Sequence, residues 1–305
     1  MSEIEQFITS ELERLGLCTS VKNTQTLGGG CISQAALYAT DNGDYFVKTN
    51  SDPQAKDWFA AESLALARIN QAVPGFAPKP IHNHTRDRAY IVTEYVCMAK
   101  PNTSKTQKEL GRLLVKLHTA RPPPSDKDKF GFDVTSWCGT TTLDNSWTSD
   151  WLQFYKSQRL EPLLDQVKDQ NKDVDRLGAS LCARLEHWLG KDALGEVHPS
   201  LLHGDLWNGN MAARASDKSP LIYDPASFYG HYETEFGIMK MFGGFTQDCF
   251  DAYDDALINN TELELVDEGR QDRAIIYEAY HHLNHYAMFG GSYSSGFIDL
   301  IERLL

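Results

Sequence analysis

A chain of 305 residues, 41% hydrophobic and 23% charged, suits one large domain or two closely packed lobes with a sizeable core. Its formal net charge of −13 speaks against nucleic acid or an anionic membrane as partner, because the summed field repels both. No apolar run approaches bilayer-spanning length, and the opening Met-Ser-Glu-Ile-Glu-Gln resembles neither a signal nor a transit peptide, so a cytoplasmic protein is expected.

Apolar residues at Ile4, Phe7, Ile8, Leu12 and Leu15 predict an amphipathic helix that Gly16 helps to end. Residues 24–40 read as strand, Gly28-Gly29-Gly30 turn, strand. The tight-turn signal Asp41-Asn42-Gly43-Asp44 then leads into a third strand at 45–49, which makes an antiparallel meander. A helix over 57–69, a proline-rich break at 74–80 and an apolar strand over 89–96 follow. Beyond that point the balance shifts to helix. Leu110, Leu113, Leu114 and Leu117 recur at helical spacing, and 147–164 and 174–189 predict further helices. Short strands return over 201–223, and 233–305 is mostly helical. Sheet first and helices later predict an α+β molecule of two lobes with a cleft between them, divided into residues 1–96 and 97–305.

The strongest chemical signal is Leu201-Leu-His-Gly-Asp-Leu-Trp-Asn-Gly-Asn210. Its spacing H-x-D-x-x-x-x-N is that of a kinase catalytic loop, in which Asp205 would take the hydroxyl proton and Asn210 would hold magnesium. An apolar strand then delivers Asp224, where a kinase presents its second Mg²⁺ ligand, although Asp-Pro-Ala stands in place of Asp-Phe-Gly. Taken singly, Asp205 could cap a helix, Asn210 could sit in a turn, and His203 is better placed to brace the loop than to react. The ordered pair of motifs weighs against those readings.

The N-terminal half supplies matching parts in matching order. Gly28, Gly29 and Gly30 lie between two strands, where backbone N–H groups can approach phosphate. Lys48 ends a strand, and Glu62 follows on the next helix as the expected partner of a phosphate-binding lysine. Glu94, Tyr95 and Val96 fall where an inter-lobe hinge would offer backbone groups to adenine. These parts make ATP and Mg²⁺ the expected cofactors.

Together these residues resemble the fructosamine-3-kinases and related ketosamine or protein-ribulosamine 3-kinases, over nearly the whole chain. The resemblance is carried by Gly28-Gly-Gly-Cys-Ile-Ser33, Tyr45-Phe-Val-Lys48, Lys129-Phe-Gly-Phe132 with Asn145, Trp147 and Asp150-Trp151, and Leu202-His-Gly-Asp-Leu-Trp207. Tyr223-Asp-Pro-Ala-Ser-Phe-Tyr-Gly-His231 and Met241-Phe-Gly-Gly-Phe245 complete it. It implies an aminoglycoside-phosphotransferase-like fold and transfer of the ATP γ-phosphate to the 3-hydroxyl of a ketosamine, promoting deglycation of proteins or smaller sugar-amine adducts. It further implies Trp207 as a wall of the sugar pocket, with His231, Glu233 and His285 as additional acceptor contacts. Asn208 and Thr142-Leu143 depart from the family's usual Ser and Pro-Gln, and the latter change favours ribulosamine over fructosamine. A kinase for another hydroxyl, such as an aminoglycoside, choline or homoserine, is the rival enzyme reading; a non-catalytic nucleotide-binding protein would have lost the base or metal positions, and none is lost.

The cysteines Cys18, Cys31, Cys97, Cys138, Cys182 and Cys249 form no C-x-x-C pair, which argues for reduced thiols rather than a disulfide framework or zinc site. Cys31 is set apart by its place beside the glycine turn. A loop that attracts phosphate also stabilises a thiolate, so Cys31 is expected to lie against ATP, to be redox-sensitive and to be able to link two copies of the chain, which is otherwise a monomer or homodimer.

Overall fold

The computed structural model describes residues 2–28, 33–84, 88–260, 263 and 265–305. Gly29, Gly30 and Cys31 lie outside the described residues. Chain order begins with α1 (Glu3–Arg14), then β1 (Val21–Leu27), β2 (Gln34–Thr40), β3 (Gly43–Asn50), α2 (Ala55–Ala72), β4 (Pro80–His84) and β5 (Ala89–Glu94). The five strands form one antiparallel sheet in the order β1-β2-β3-β5-β4. The proline-rich break is shorter than the sequence suggests, because Pro80 already opens β4.

Side-chain alternation in the sheet explains how it is clothed. Tyr90 and Val92 of β5 face Ile8 and Leu12 of α1, together with Tyr38, Tyr45 and Val47. Ala89 and Ile91 point the other way, into a core shared with Phe59, Leu66 and Ile69 of α2. Burying side chains such as Ile8 and Leu12 is worth about 2 kcal/mol each. The helix that carries them is fixed at its start by a capping box, in which Ser2 and Glu5 satisfy each other's backbone N–H groups.

The chain leaves this sheet after Glu94 and enters β6 (Met98–Ala99), which pairs with β10 (Met211–Arg214); β10 pairs in turn with β11 (Pro220–Ile222). Between them run α3 (Ser104–His118), a hairpin of β7 (Ser136–Cys138) and β8 (Thr141–Leu143), α4 (Trp151–Tyr155), α5 (Glu161–Gln166), α6 (Lys172–Arg184), α7 (Glu186–Leu189), α8 (Lys191–Leu194) and β9 (Ser200–Leu202). After β11 come β12 (Phe228–Gly230), paired with β9, and the helices α9 (Glu235–Phe242), α10 (Gln247–Ile258), α11 (Arg270–Phe289) and α12 (Tyr293–Leu304).

The helix expected over 147–164 is interrupted. It starts only at Trp151, where the Asp150 carboxylate accepts the Gln153 N–H at 2.6 Å, and it passes through a π-helical turn at Lys156–Leu160. That turn carries Arg159, buried between the rings of Phe154 and Phe228 at 4.5 and 4.3 Å. Its guanidinium donates to the Asp144 carbonyl at 2.7 Å and to Asn145 Oδ1 at 2.6 Å, which fixes the segment after the β7–β8 hairpin.

Candidate active site

Lys48 occupies the middle of the sheet, since β3 pairs with both β2 and β5. Its ammonium donates to Glu62 Oε1 at 2.8 Å, from α2, and it also contacts Asp224 Oδ1, from beyond β11. Burial works against that charge, but the Asp224 and Glu62 carboxylates outweigh it and raise the lysine pKa. The two halves of the molecule therefore meet at an ion-paired cluster that the sequence assigns to phosphate and metal. Asp224 is held at φ 57°, left-handed for a residue with a Cβ. Aspartate tolerates that region better than most residues, and such strain concentrates at functional sites.

The catalytic loop is pinned from below. Glu235, fully buried at the start of α9, accepts the backbone N–H groups of His203 at 2.6 Å and Gly204 at 3.0 Å. Burial opposes its charge, yet the imidazoles of His118 and His203 and the His203 amide outweigh burial and hold its carboxyl below the ordinary glutamate value. His203 bridges the two motifs, with Nε2 donating to the Tyr223 carbonyl at 2.9 Å and Nδ1 accepting the Asp205 N–H at 3.2 Å. That pattern fixes a neutral tautomer, and burial lowers the imidazole pKa in agreement. Gly204, at φ +82°, passes so near the Ala226 carbonyl that a Cβ would lie 2.3 Å from its oxygen. Only glycine lets the loop lie this close to the Asp224 segment.

Asp205 is half-buried at the end of this loop. Asn210 Nδ2 donates to its main-chain oxygen at 2.9 Å and to Oδ2 at 3.3 Å. Burial pushes the carboxyl up to about 8, opposed by Cys138 and Asn210 and assisted by the charges of Asp224 and Glu235. A carboxyl tuned toward neutral pH suits proton transfer from an alcohol. At the hinge, the N–H groups of Glu94 and Tyr95 are taken by the Lys79 and Asp44 carbonyls at 3.0 and 3.1 Å.

The acceptor candidates separate into two groups. Trp207, 37% exposed, stands over Gly209 and against Phe242 at 5.7 Å; Phe242 packs on His285 at 5.1 Å. These two candidates thus share one aromatic row beside the catalytic loop. His231 and Glu233 do not join it. His231 is buried, bonds the Tyr277 hydroxyl at 2.9 Å, and burial lowers its pKa to about 4. Glu233 is buried in a two-point pair with Arg273, at 2.7 and 2.8 Å. The expectation that His231 and Glu233 contact an acceptor is corrected accordingly: both belong to the core behind β12 and α9.

With this geometry in place, the comparisons narrow the identity. The model of the fructosamine kinase family matches residues 2–305. The chain belongs to the fructosamine kinase family. Among its relatives are a ketosamine-3-kinase of Mus musculus, 34% identical over 94% of this chain and 96% of the relative, and a chloroplastic protein-ribulosamine 3-kinase of Arabidopsis thaliana, 33% identical over 100% and 89%. A crystal structure of a fructosamine-3-kinase candidate from Thermobifida fusca superimposes with TM-score 0.80 at 25% identity, covering 97% of this chain and 98% of the other. An aminoglycoside phosphotransferase in ternary complex with ADP and hygromycin B shares the fold alone, with TM-score 0.63 at 14% identity over 99% of both chains.

In this fructosamine kinase family member, the kinase-like fold, an antiparallel sheet followed by a mainly helical region, agrees with the expectation from sequence. One residue that holds the loop escaped that reading. Glu235 was passed over for Glu233, two positions earlier; both are acidic, and nothing in the sequence says which one faces the loop. The described cysteines Cys18, Cys97, Cys138, Cys182 and Cys249 are free thiols.

Proposed function

We propose that this protein transfers the γ-phosphoryl group of Mg-ATP to the 3-hydroxyl of a ketosamine, so that the phosphorylated adduct breaks down and frees the amine. The observation that supports the reading is the pair of contacts it needs: Asn210 donates to the Asp205 carboxylate at 3.3 Å, and Lys48 joins Glu62 of α2 to Asp224 beyond β11. Asp205 takes the proton from the attacking hydroxyl, and Lys48, held by Glu62, serves the nucleotide phosphates. Asp224 and Asn210 fit Mg²⁺, a hard ion that accepts few protein oxygens and completes its shell with phosphate and water. Bound there, the ion would neutralise charge developing on the phosphates. Among the described residues the Val96 N–H has no backbone partner and is the hinge donor for adenine.

For the acceptor we favour ribulosamines, because Thr142 and Leu143 of β8 provide no amide for a longer polyol. ADP release measured in parallel with ribulosyl-lysine and fructosyl-lysine, followed by phosphorus NMR of the product, tests both statements. A phosphate ester at the 3-position and the larger specificity constant for ribulosyl-lysine are expected. Turnover only with choline, homoserine or an aminoglycoside would overturn the ketosamine reading, and a higher specificity constant for fructosyl-lysine would overturn the preference.

A further inference from the structure

Arg159 is a buried cation without a counter-charge. It is 2% exposed, and its acceptors are all neutral: the Asp144 and Gln158 carbonyls at 2.7 and 2.9 Å and Asn145 Oδ1 at 2.6 Å. Its Nε has no hydrogen-bond partner, and among the described residues no carboxylate forms an ion pair with the guanidinium. Stacking between Phe154 and Phe228 recovers only part of the cost of taking such a cation out of water. Burial lowers the Arg159 pKa to about 10, and the pull of Tyr280 and Asp144 does not restore it. Buried charges in folded proteins are otherwise paired or ligated.

Arg159 lines a cavity of about 200 Å³ between the β7–β8 hairpin, α5 and α11. Thr140, Thr142 and Gln166 are exposed at its rim, and the buried Tyr280 lines it from α11. Gln158 lines it as well, and its Oε1 is a buried acceptor with no partner. None of the described residues in its wall is acidic, in a chain of formal net charge −13. A low-dielectric cavity holding one sign of charge concentrates ions of the other sign. Asp205, Trp207, Asn210 and Asp224 take no part in this wall, so the cavity is not the catalytic cleft.

The two unpartnered atoms define complementary groups on one ligand. The guanidinium calls for an anionic oxygen, which it binds better than an ammonium does because its N–H groups lie in one plane. The Gln158 oxygen calls for a hydroxyl. The Thr140 and Tyr280 hydroxyls and the Gln166 amide offer further neutral donors around the same space.

We propose that this cavity is a binding site for a small hydroxylated oxyanion, with its carboxylate or phosphate facing Arg159 and its hydroxyl toward Gln158. The ligand supplies the missing counter-charge and braces the π-helical turn against the β7–β8 hairpin, so its binding stabilises the folded chain. The site does not depend on the ketosamine reading.

The test measures thermal midpoints with saturating Mg-AMP-PNP present, while glycerol 3-phosphate, glycerate or sodium chloride is added at matched ionic strength. The parent is compared with Arg159→Met and Gln166→Trp, and titration calorimetry follows the same pairs. Gln166 sits on the rim and holds only the Ala287 carbonyl, at 3.5 Å, so an indole there can fill the cavity while the fold is kept. Mass action predicts a saturable rise of about 5 °C in the parent at a hundredfold excess over Kd, and none in either variant. A rise with glycerol 3-phosphate alone identifies a phosphate ligand, and one with glycerate alone a carboxylate; either supports the site. Propionate, which lacks a hydroxyl, should bind about tenfold more weakly than glycerate, and equal binding would overturn the Gln158 contact. No saturable rise above chloride with either anion overturns the proposal. So does an equal rise in the parent and Gln166→Trp, which would put the anion elsewhere, and that comparison decides the matter even where Arg159→Met does not fold.

Discussion

Replacing Glu235 by Gln changes one oxygen to an NH₂ group where two backbone donors, the His203 and Gly204 N–H groups, converge at 2.6 and 3.0 Å. The amide oxygen can keep one of them. The other then faces a second donor and is left unpartnered in a fully buried place. Loss of one charge-assisted bond together with an orphaned N–H predicts destabilisation of about 2–4 kcal/mol, a large share of the ~5–15 kcal/mol that typical domains possess. Because those amides belong to the catalytic loop, its displacement by about 1 Å would lower kcat by up to about 100-fold. Urea denaturation read by fluorescence gives the first quantity, provided the m-value is unchanged, and ADP release gives the second. Glu235→Ala, which orphans both amides and leaves a void, should be worse on both counts. A Glu235→Gln variant within about 0.5 kcal/mol of the parent, the range of surface substitutions, and with parental kcat would refute the argument that this carboxylate holds the loop.

Asp205→Asn should lose turnover by about 10²–10⁴-fold while keeping the thermal shift given by Mg-ATP, and near-parental kcat in the folded variant would end its assignment as base. Gly209→Ala would place a Cβ 2.1 Å from the Trp207 ring and drive the ring aside; KM for the acceptor should rise with KM for ATP unchanged, and an unchanged acceptor KM would remove Trp207 from the pocket. Burial lowers His231 from 6.5 to about 4, so its contribution is fully present above pH 6.5 and is lost as pH falls toward 4. Proton linkage makes that loss about 3 kcal/mol; urea midpoints from pH 7.5 to 4.5 should decline less steeply in His231→Gln, and parallel declines would contradict the assignment. Oxidant should change kinase activity reversibly with dithiothreitol in the parent but not in Cys31→Ala; an equal response in both would direct attention to Cys97, an exposed thiol beside the hinge.

The fold was legible where one local rule governed each element. The Asn42-Gly43 turn, with Gly43 at φ +115°, and the alternation of Tyr90, Ile91 and Val92 required no knowledge of distant residues. Boundaries were lost where tertiary contacts decide them. Strand β4 forms from a proline-rich stretch because β5 is present to pair with it. The break at Lys156–Leu160 places Arg159 between two rings, one of which, Phe228, lies far along the chain. Periodicity over 147–164 carries no trace of that constraint.

The site divides along the same line. Asp205 and Asn210 share one motif, Asp224 follows on a second, and Lys48 and Glu62 come in strand-then-helix order, so sequence could single them out; the structure joins Asn210 to Asp205 and Lys48 to both Glu62 and Asp224. What sequence could not do was distribute the buried partners. Glu233 and Glu235 lie two residues apart around the short 3₁₀ turn Tyr232–Thr234, and the backbone there sends one toward Arg273 and the other toward the catalytic loop. Each carboxylate is tolerated in the core because its partner is already in place: a guanidinium on α11 for Glu233, and two amides of the loop for Glu235. Exchanging their roles would leave Arg273 unpaired and the loop amides unsatisfied. The choice between two identical side chains is thus made by donors that lie about thirty to forty residues away, at separations of 31, 32 and 40.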